Sequence, residues 1–191
     1  MRKLFLTIVF IGFSSYSQSI ESLQTATKKF YQANYLMDFE VIASQTYPRI
    51  IENSSSEKFI ENMENHYENT DFRLRLQLET VPFQFGVIKK IKGKSFCVIT
   101  CRNPMRYFFE TKLTTETATV KTTWLKEINK TKEVTFEPNR NSFNVKKTTT
   151  FVAIMDETTN KEWKFFNFDM TIQQDLFEVF FGKDTKKELG L

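Results

Sequence analysis

Histidine occurs once, cysteine twice, proline four times and glycine five times in 191 residues, and each shortage removes a class of chemistry. One histidine and two cysteines without ligand spacing cannot build a standard zinc site, so no metal and no cofactor are expected. Cys97 and Cys101, in "CVITC", lie about 13 Å apart if extended at about 3.3 Å per residue, beyond bridging distance. They read as two buried thiols on one strand face. No P-loop, dinucleotide fingerprint, GxSxG or HExxH occurs, and "GKSFC" lacks the closing glycine of a nucleophile turn. Repeats and low-complexity linkers are missing too, which leaves one domain. No apolar run reaches the roughly 20 residues that span a bilayer.

A large excess of one charge is also absent. The chain carries 27 Lys+Arg against 23 Asp+Glu, a net charge of +4. Arg2 and Lys3 precede an apolar run from Leu4 to Phe13 and then small polar residues, the layout of a secretory leader. With Ser15 and Ser17 as the small residues of a cleavage site, a leader over 1–17 and a mature domain over 18–191 are expected. The protein is then exported, periplasmic or secreted, with no membrane span in the mature chain. Without Arg2 and Lys3 the balance is 25 to 23, net +2, and the basic residues are scattered. Nucleic acid is excluded as a partner, because phosphate binding needs a concentrated basic face. The densest group, Lys89, Lys90, Lys92 and Lys94 around Gly93, reads as a hairpin tip.

What is present begins with helices. Leu23, Ala26, Phe30, Ala33 and Met37 recur at three- and four-residue steps and form one apolar stripe. Asp38 fits the cap of a second helix, which ends at Tyr47-Pro48, where proline has no N–H to give. Ser54 and Glu57 have capping-box spacing for a third helix over 55–69, with Phe59, Ile60, Met63 and Tyr67 on one side. The period then becomes two: Phe72, Leu74, Leu76 and Leu78 alternate with Arg73, Arg75, Gln77 and Glu79. Residues 81–170, rich in Thr, Val, Phe and Lys, read as one antiparallel, meandering sheet. Asn103-Pro104 inside a long strand predicts a bulge. Val120, Trp124 and Ile128 fit a helix, whereas the Thr and Val content around them fits a strand. A last helix opens at Thr171, buries Ile172, Leu176, Phe177 and Phe180, and stops at Gly182.

The stretch "EWKFFNFDM", residues 162–170, sets bulky rings on both faces of a strand, Trp163 and Phe165 on one and Phe166 and Phe168 on the other. In "FVAIM" Val152 and Ile154 likewise make a second apolar face. A sheet covered by its helices on one side needs only one such face. Val152, Ile154, Phe166 and Phe168 therefore predict the face of a symmetric homodimer, against the alternative that they fill a thick, curved core.

Two helices, the break "TYPRIIE" with "SEKFIENM" after it, a bent sheet, and "TTTFVAIMDETTNKEWKFFNFD" before a short helix resemble the nuclear transport factor 2-like superfamily. The likeness covers residues 20–185, and its motifs are topological. It implies an α+β cone: N-terminal helices packed on a strongly curved antiparallel sheet around an internal cavity, with a short C-terminal helix. It also implies that the sheet's other face commonly makes a dimer. Residues 114–147 are longer than a minimal member has.

Family enzymes place an acid or base inside the cone. Asp38 is used as a cap, Asp169 lies at a strand end and Glu110 at a strand edge, so no differently tuned pair of carboxylates emerges and no catalytic residue is carried over. With 21 Phe, 6 Tyr and 2 Trp, an aromatic-lined cavity is expected. Tyr31, Tyr35, Tyr47, His66, Tyr107 and Trp124 are the polar-tipped candidates to line it. The functional expectation is a non-catalytic exported domain binding a small apolar ligand or a protein partner. An isomerase or cyclase with His66 as base, and a structural envelope subunit, are the alternatives.

Overall fold

The computed structural model describes residues 20–191, so the expected leader lies outside the described residues. Four helices open the chain: α1 over 20–36, α2 over Phe39–Gln45, α3 over Pro48–Glu52 and α4 over Ser56–Tyr67. Asp38 caps α2 by accepting from the Val41 N–H, and Pro48 opens α3 where no donor is needed. The cap of α4 is Ser55, which accepts from the Lys58 N–H, in place of the expected Ser54–Glu57 pair.

The sheet is built on two long strands, β4 (Lys94–Phe109) and β6 (Ser142–Met155), paired antiparallel from Ser95 opposite Met155 to Phe108 opposite Ser142. Shorter strands complete both sides. On β4 these are β1 (Phe72–Leu76), β2 (Phe83–Phe85) and β3 (Lys89–Ile91); on β6 they are β5 (Val134–Glu137) and β7 (Lys164–Asn167). Lys92 and Gly93, both at positive φ, close the β3–β4 hairpin with Ile91 opposite Lys94. The whole is an α+β fold with a strongly curled, open antiparallel sheet.

The bulge expected at Asn103-Pro104 is absent, since the register with β6 runs unbroken through Asn103–Lys147 and Pro104–Lys146. Gln77 donates its N–H to the Pro104 carbonyl, so the polar edge of Pro104 points away from β6, toward the gap between β1 and β2. A missing donor there costs no ladder bond.

Residues 115–128 are a helix, α5 (Thr115–Ile128), which settles the two readings of that stretch. Thr114 and Thr117 cap it reciprocally, and the hydroxyls of Thr119, Thr122 and Thr123 bond back to carbonyls four residues earlier. A threonine-rich segment thus satisfies its own polar groups in helical form. After β7 come α6 (Thr171–Phe181) and α7 (Lys183–Leu189), joined at Gly182 with φ +85°. α6 buries Gln173, Phe177 and Phe181; of the expected face Phe177 is fully buried, Leu176 and Phe180 are half-buried, and Ile172 is 60% exposed.

These two helices supply the cover for the second apolar face. On the concave side, Phe165 stacks on Phe30 of α1 with ring centroids 4.7 Å apart, and Trp163 Nε1 donates to Ser22 Oγ. On the convex side, Phe166 packs against Phe177 and Phe181 of α6, Phe168 against Phe177, and Phe96 of β4 against both helix rings. Val152, Ile154 and Phe166 are fully buried within the single chain and Phe168 is 7% exposed, so all four are corrected from dimer face to core. Beyond them the convex face carries ion pairs, Arg73 with Glu110, Arg102 with Glu133 and Arg106 with Glu137, beside the half-buried Val98 and Phe108.

Candidate functional site

Period-two alternation aims the odd residues of β4 and β6 at the concave side, and Asn103 stands opposite Lys147 and Cys101 opposite Thr149. Over these positions lie Tyr31 and Asn34 of α1, one turn apart, and His66 and Tyr67 in the last turn of α4. They enclose a cavity of about 240 Å³. Leu74, Leu76, Met105, Ile128, Phe151 and Met170 give it apolar walls, and Tyr107, Asn129, Asn167 and Asp169 add polar ones.

The phenols are held in place. Tyr67 donates to Asn34 Oδ1 at 3.0 Å, while Asn34 Nδ2 donates to the Phe30 carbonyl. Tyr107 donates to Asn129 Oδ1 at 3.2 Å, and Asn129 Nδ2 donates to the Leu125 carbonyl. Tyr31 Oη lies 3.0 Å from the Leu78 carbonyl oxygen and 3.2 Å from Asn103 Oδ1, and its single proton serves one of them at a time. Burial pushes the Tyr107 hydroxyl up to about 12 and raises Tyr31 and Tyr67 further. All three remain neutral near neutral pH and act as fixed dipoles. Thr149 Oγ1, by contrast, is buried with no hydrogen-bond partner among the described residues.

Lys147 Nζ and Asp169 Oδ2 form an ion pair at 2.7 Å with little solvent around either side chain, and Asp169 Oδ1 accepts from the Thr150 N–H. His66 stands beside them with its ring edge-on to Tyr67. Packed atoms on one side of that ring, and then the Lys147 charge, push its pKa below the ordinary value, with Asp169 opposing. Its outer side is open to solvent.

Of the six candidates, Tyr31, His66 and Tyr107 line the cavity, whereas Tyr35, Tyr47 and Trp124 do not. Trp124 packs against Phe72 and Tyr107 from outside the lining. Tyr35 is half-buried on α1. Tyr47 crosses to the convex side, where its hydroxyl donates to Asp156 Oδ2 and its ring meets Phe166, Phe180 and Phe181. The sequence reading passed over Tyr67, the four asparagines, Thr149 and the Lys147–Asp169 pair. The one signal for them was Asn34, polar and three residues from Tyr31 beside an apolar stripe. Cys97 and Cys101 are free and buried, and burial raises them to about 11 and about 12, so neither is a ready nucleophile.

Comparison of the sequence with protein-family models finds no match, and comparisons with curated proteins and with solved structures find none either.

Proposed function

We propose that this chain is an exported binding domain whose inner cavity holds one small, largely apolar molecule. The carrying observation is the 240 Å³ cavity itself, with six apolar side chains set among polar ones and ringed by phenols already fixed in orientation. A dry cavity of about 150 Å³ takes a benzene molecule, so this one takes something larger than a single ring. The leader-like opening residues support export, and helices laid over the concave face of a curled sheet support the nuclear transport factor 2-like reading. Native mass spectrometry of residues 18–191 purified from the host tests this: an adduct of small-molecule mass that disappears on denaturation is expected. A bare protein mass, from a protein that no small aromatic or aliphatic compound stabilises, would sink the reading.

His66 supports a second reading, an isomerase or cyclase acting on a small hydrophobic substrate. A lowered pKa keeps its imidazole neutral and able to take a proton, and it faces the cavity. The two readings part at His66→Ala. Binding alone predicts ligand affinity within about threefold of wild type, the scale of an altered rim contact. Catalysis predicts a loss of turnover of about 10²-fold or more with substrate still bound.

A further inference from the structure

The Lys147–Asp169 pair lines two cavities. Besides the inner one, it borders an outer pocket of about 250 Å³ on the far side, and Ile128 and Asn129 are common to both. The outer pocket carries four cationic side chains, Arg102, Lys130, Lys146 and Lys147, against two carboxylates, Glu133 and Asp169. Arg102 is paired with Glu133 and Lys147 with Asp169, while Lys130 and Lys146 have no ion pair among the described residues. Between the inner cavity and the cationic outer pocket stand the Lys147–Asp169 pair, Ile128 and Asn129.

We propose that the ligand of the inner cavity is a small amphipathic carboxylate, its apolar body among the phenols and its carboxylate replacing Asp169 on Lys147. This rests on the inner cavity being the binding site, and it names the chemistry that site selects. Lys147 is fixed in the longest ladder of the sheet, opposite Asn103, whereas Asp169 sits in the turn between β7 and α6. Exchange of one carboxylate for another leaves Lys147 neutralised, and Asp169 then faces the two unpaired lysines of the outer pocket. The charge balance of the partition is kept on both sides. Thr149 lies two residues further along the same face as Lys147 and lines the inner cavity without bordering the outer pocket. The surplus of cations outside draws an anion toward the mouth.

Ligand-observed NMR and calorimetry with 3-phenylpropanoate and octanoate, each against its neutral amide, test the proposal on wild type, Lys147→Gln and Asp169→Asn. The wild type should bind each acid about tenfold more tightly than its amide, the scale of one charge-assisted contact. Lys147→Gln should bring that ratio near one, and Asp169→Asn, by removing the competing carboxylate, should raise it. Acids and amides bound equally by wild type, or a ratio that Asp169→Asn leaves unchanged or lowers, would overturn the carboxylate assignment while leaving the cavity a binding site. Neither acid nor amide binding would overturn the binding reading and this one together. If Lys147→Gln does not fold, the Asp169→Asn ratio alone decides.

Discussion

Phe166→Ala should lower the unfolding free energy by about 3–5 kcal/mol, the range for deleting a fully buried aromatic ring. Phe166 has no exposed surface and its ring meets those of Tyr47, Phe177, Phe180 and Phe181, at centroid separations of 5.3 to 6.4 Å. Its removal takes away one ring that touches both the α2–α3 junction and α6. The neighbouring backbone is held by ladder bonds to Val152 and by the Tyr47 N–H donating to the Phe165 carbonyl, so little collapse can fill the space. Urea denaturation should show a lower midpoint at unchanged slope. A loss below about 1 kcal/mol, as for a surface residue, would mean that α6 does not cover this face.

Lys94→Ala should cost about 2–3 kcal/mol at neutral pH and should weaken the protein's loss of stability in acid. The carboxylate of Asp156 is almost entirely buried, and burial alone would raise its pKa. Lys94 Nζ at 2.7 Å, the Tyr47 hydroxyl at 3.0 Å and the Thr159 N–H at 3.1 Å outweigh that and hold it below the usual carboxylate range. A folded pKa below the unfolded value of about 3.9 adds stability that is complete above that value and fades as pH falls through the folded one. Without Lys94 only the Tyr47 and Thr159 hydrogen bonds oppose burial, so the folded pKa rises from its lowered position and less stability is lost as pH falls. The cost is set below the 3–5 kcal/mol of a fully buried pair because the Lys94 side chain is 36% exposed. Denaturation at pH 7, 5, 4 and 3 should give a wild-type stability that drops between pH 5 and 3 and a variant curve that falls less over the same range. Parallel curves would show that Lys94 does not set the ionisation of Asp156.

Much of this fold was legible from spacing alone. The stripe from Leu23 to Ala33, the break at Tyr47-Pro48 and the alternation at Phe72 to Leu76 each depend on a period that neighbouring residues suffice to reveal. The rings of 162–170 were legible as a strand with two buried faces, but their cover was not. The sequence of α7, "KDTKKEL", has only Leu189 as an apolar anchor, and α6 buries Gln173, Phe177 and Phe181, of which only Phe177 belongs to its expected stripe. With α6 expected but not assigned to that face and α7 not foreseen, a second chain was the remaining cover. Pro104 misled for a related reason, since its cost depends on which neighbouring strand its nitrogen faces, and no local pattern shows that.

The cavity was half legible. Tyr31 and Tyr107 follow from inward positions on periodic elements, whereas Tyr47 sits at a helix break, where the chain bridges to β7 and carries the ring around the sheet edge. Asp169 read as a strand-end residue until Lys147, 22 positions earlier in sequence but beside it in space, gave it a partner.

The central claim, that the inner cavity holds a small molecule, is tested most directly at Thr149. Thr149→Leu fills part of the 240 Å³ and removes the unpartnered hydroxyl while leaving the ladder to Cys101 in place. Native mass spectra of wild type and variant, purified side by side from the same host, should show a small-molecule adduct on the first and its loss from the second, with the folded charge-state distribution kept. An adduct retained at full occupancy by the variant would place the ligand elsewhere and contradict the account.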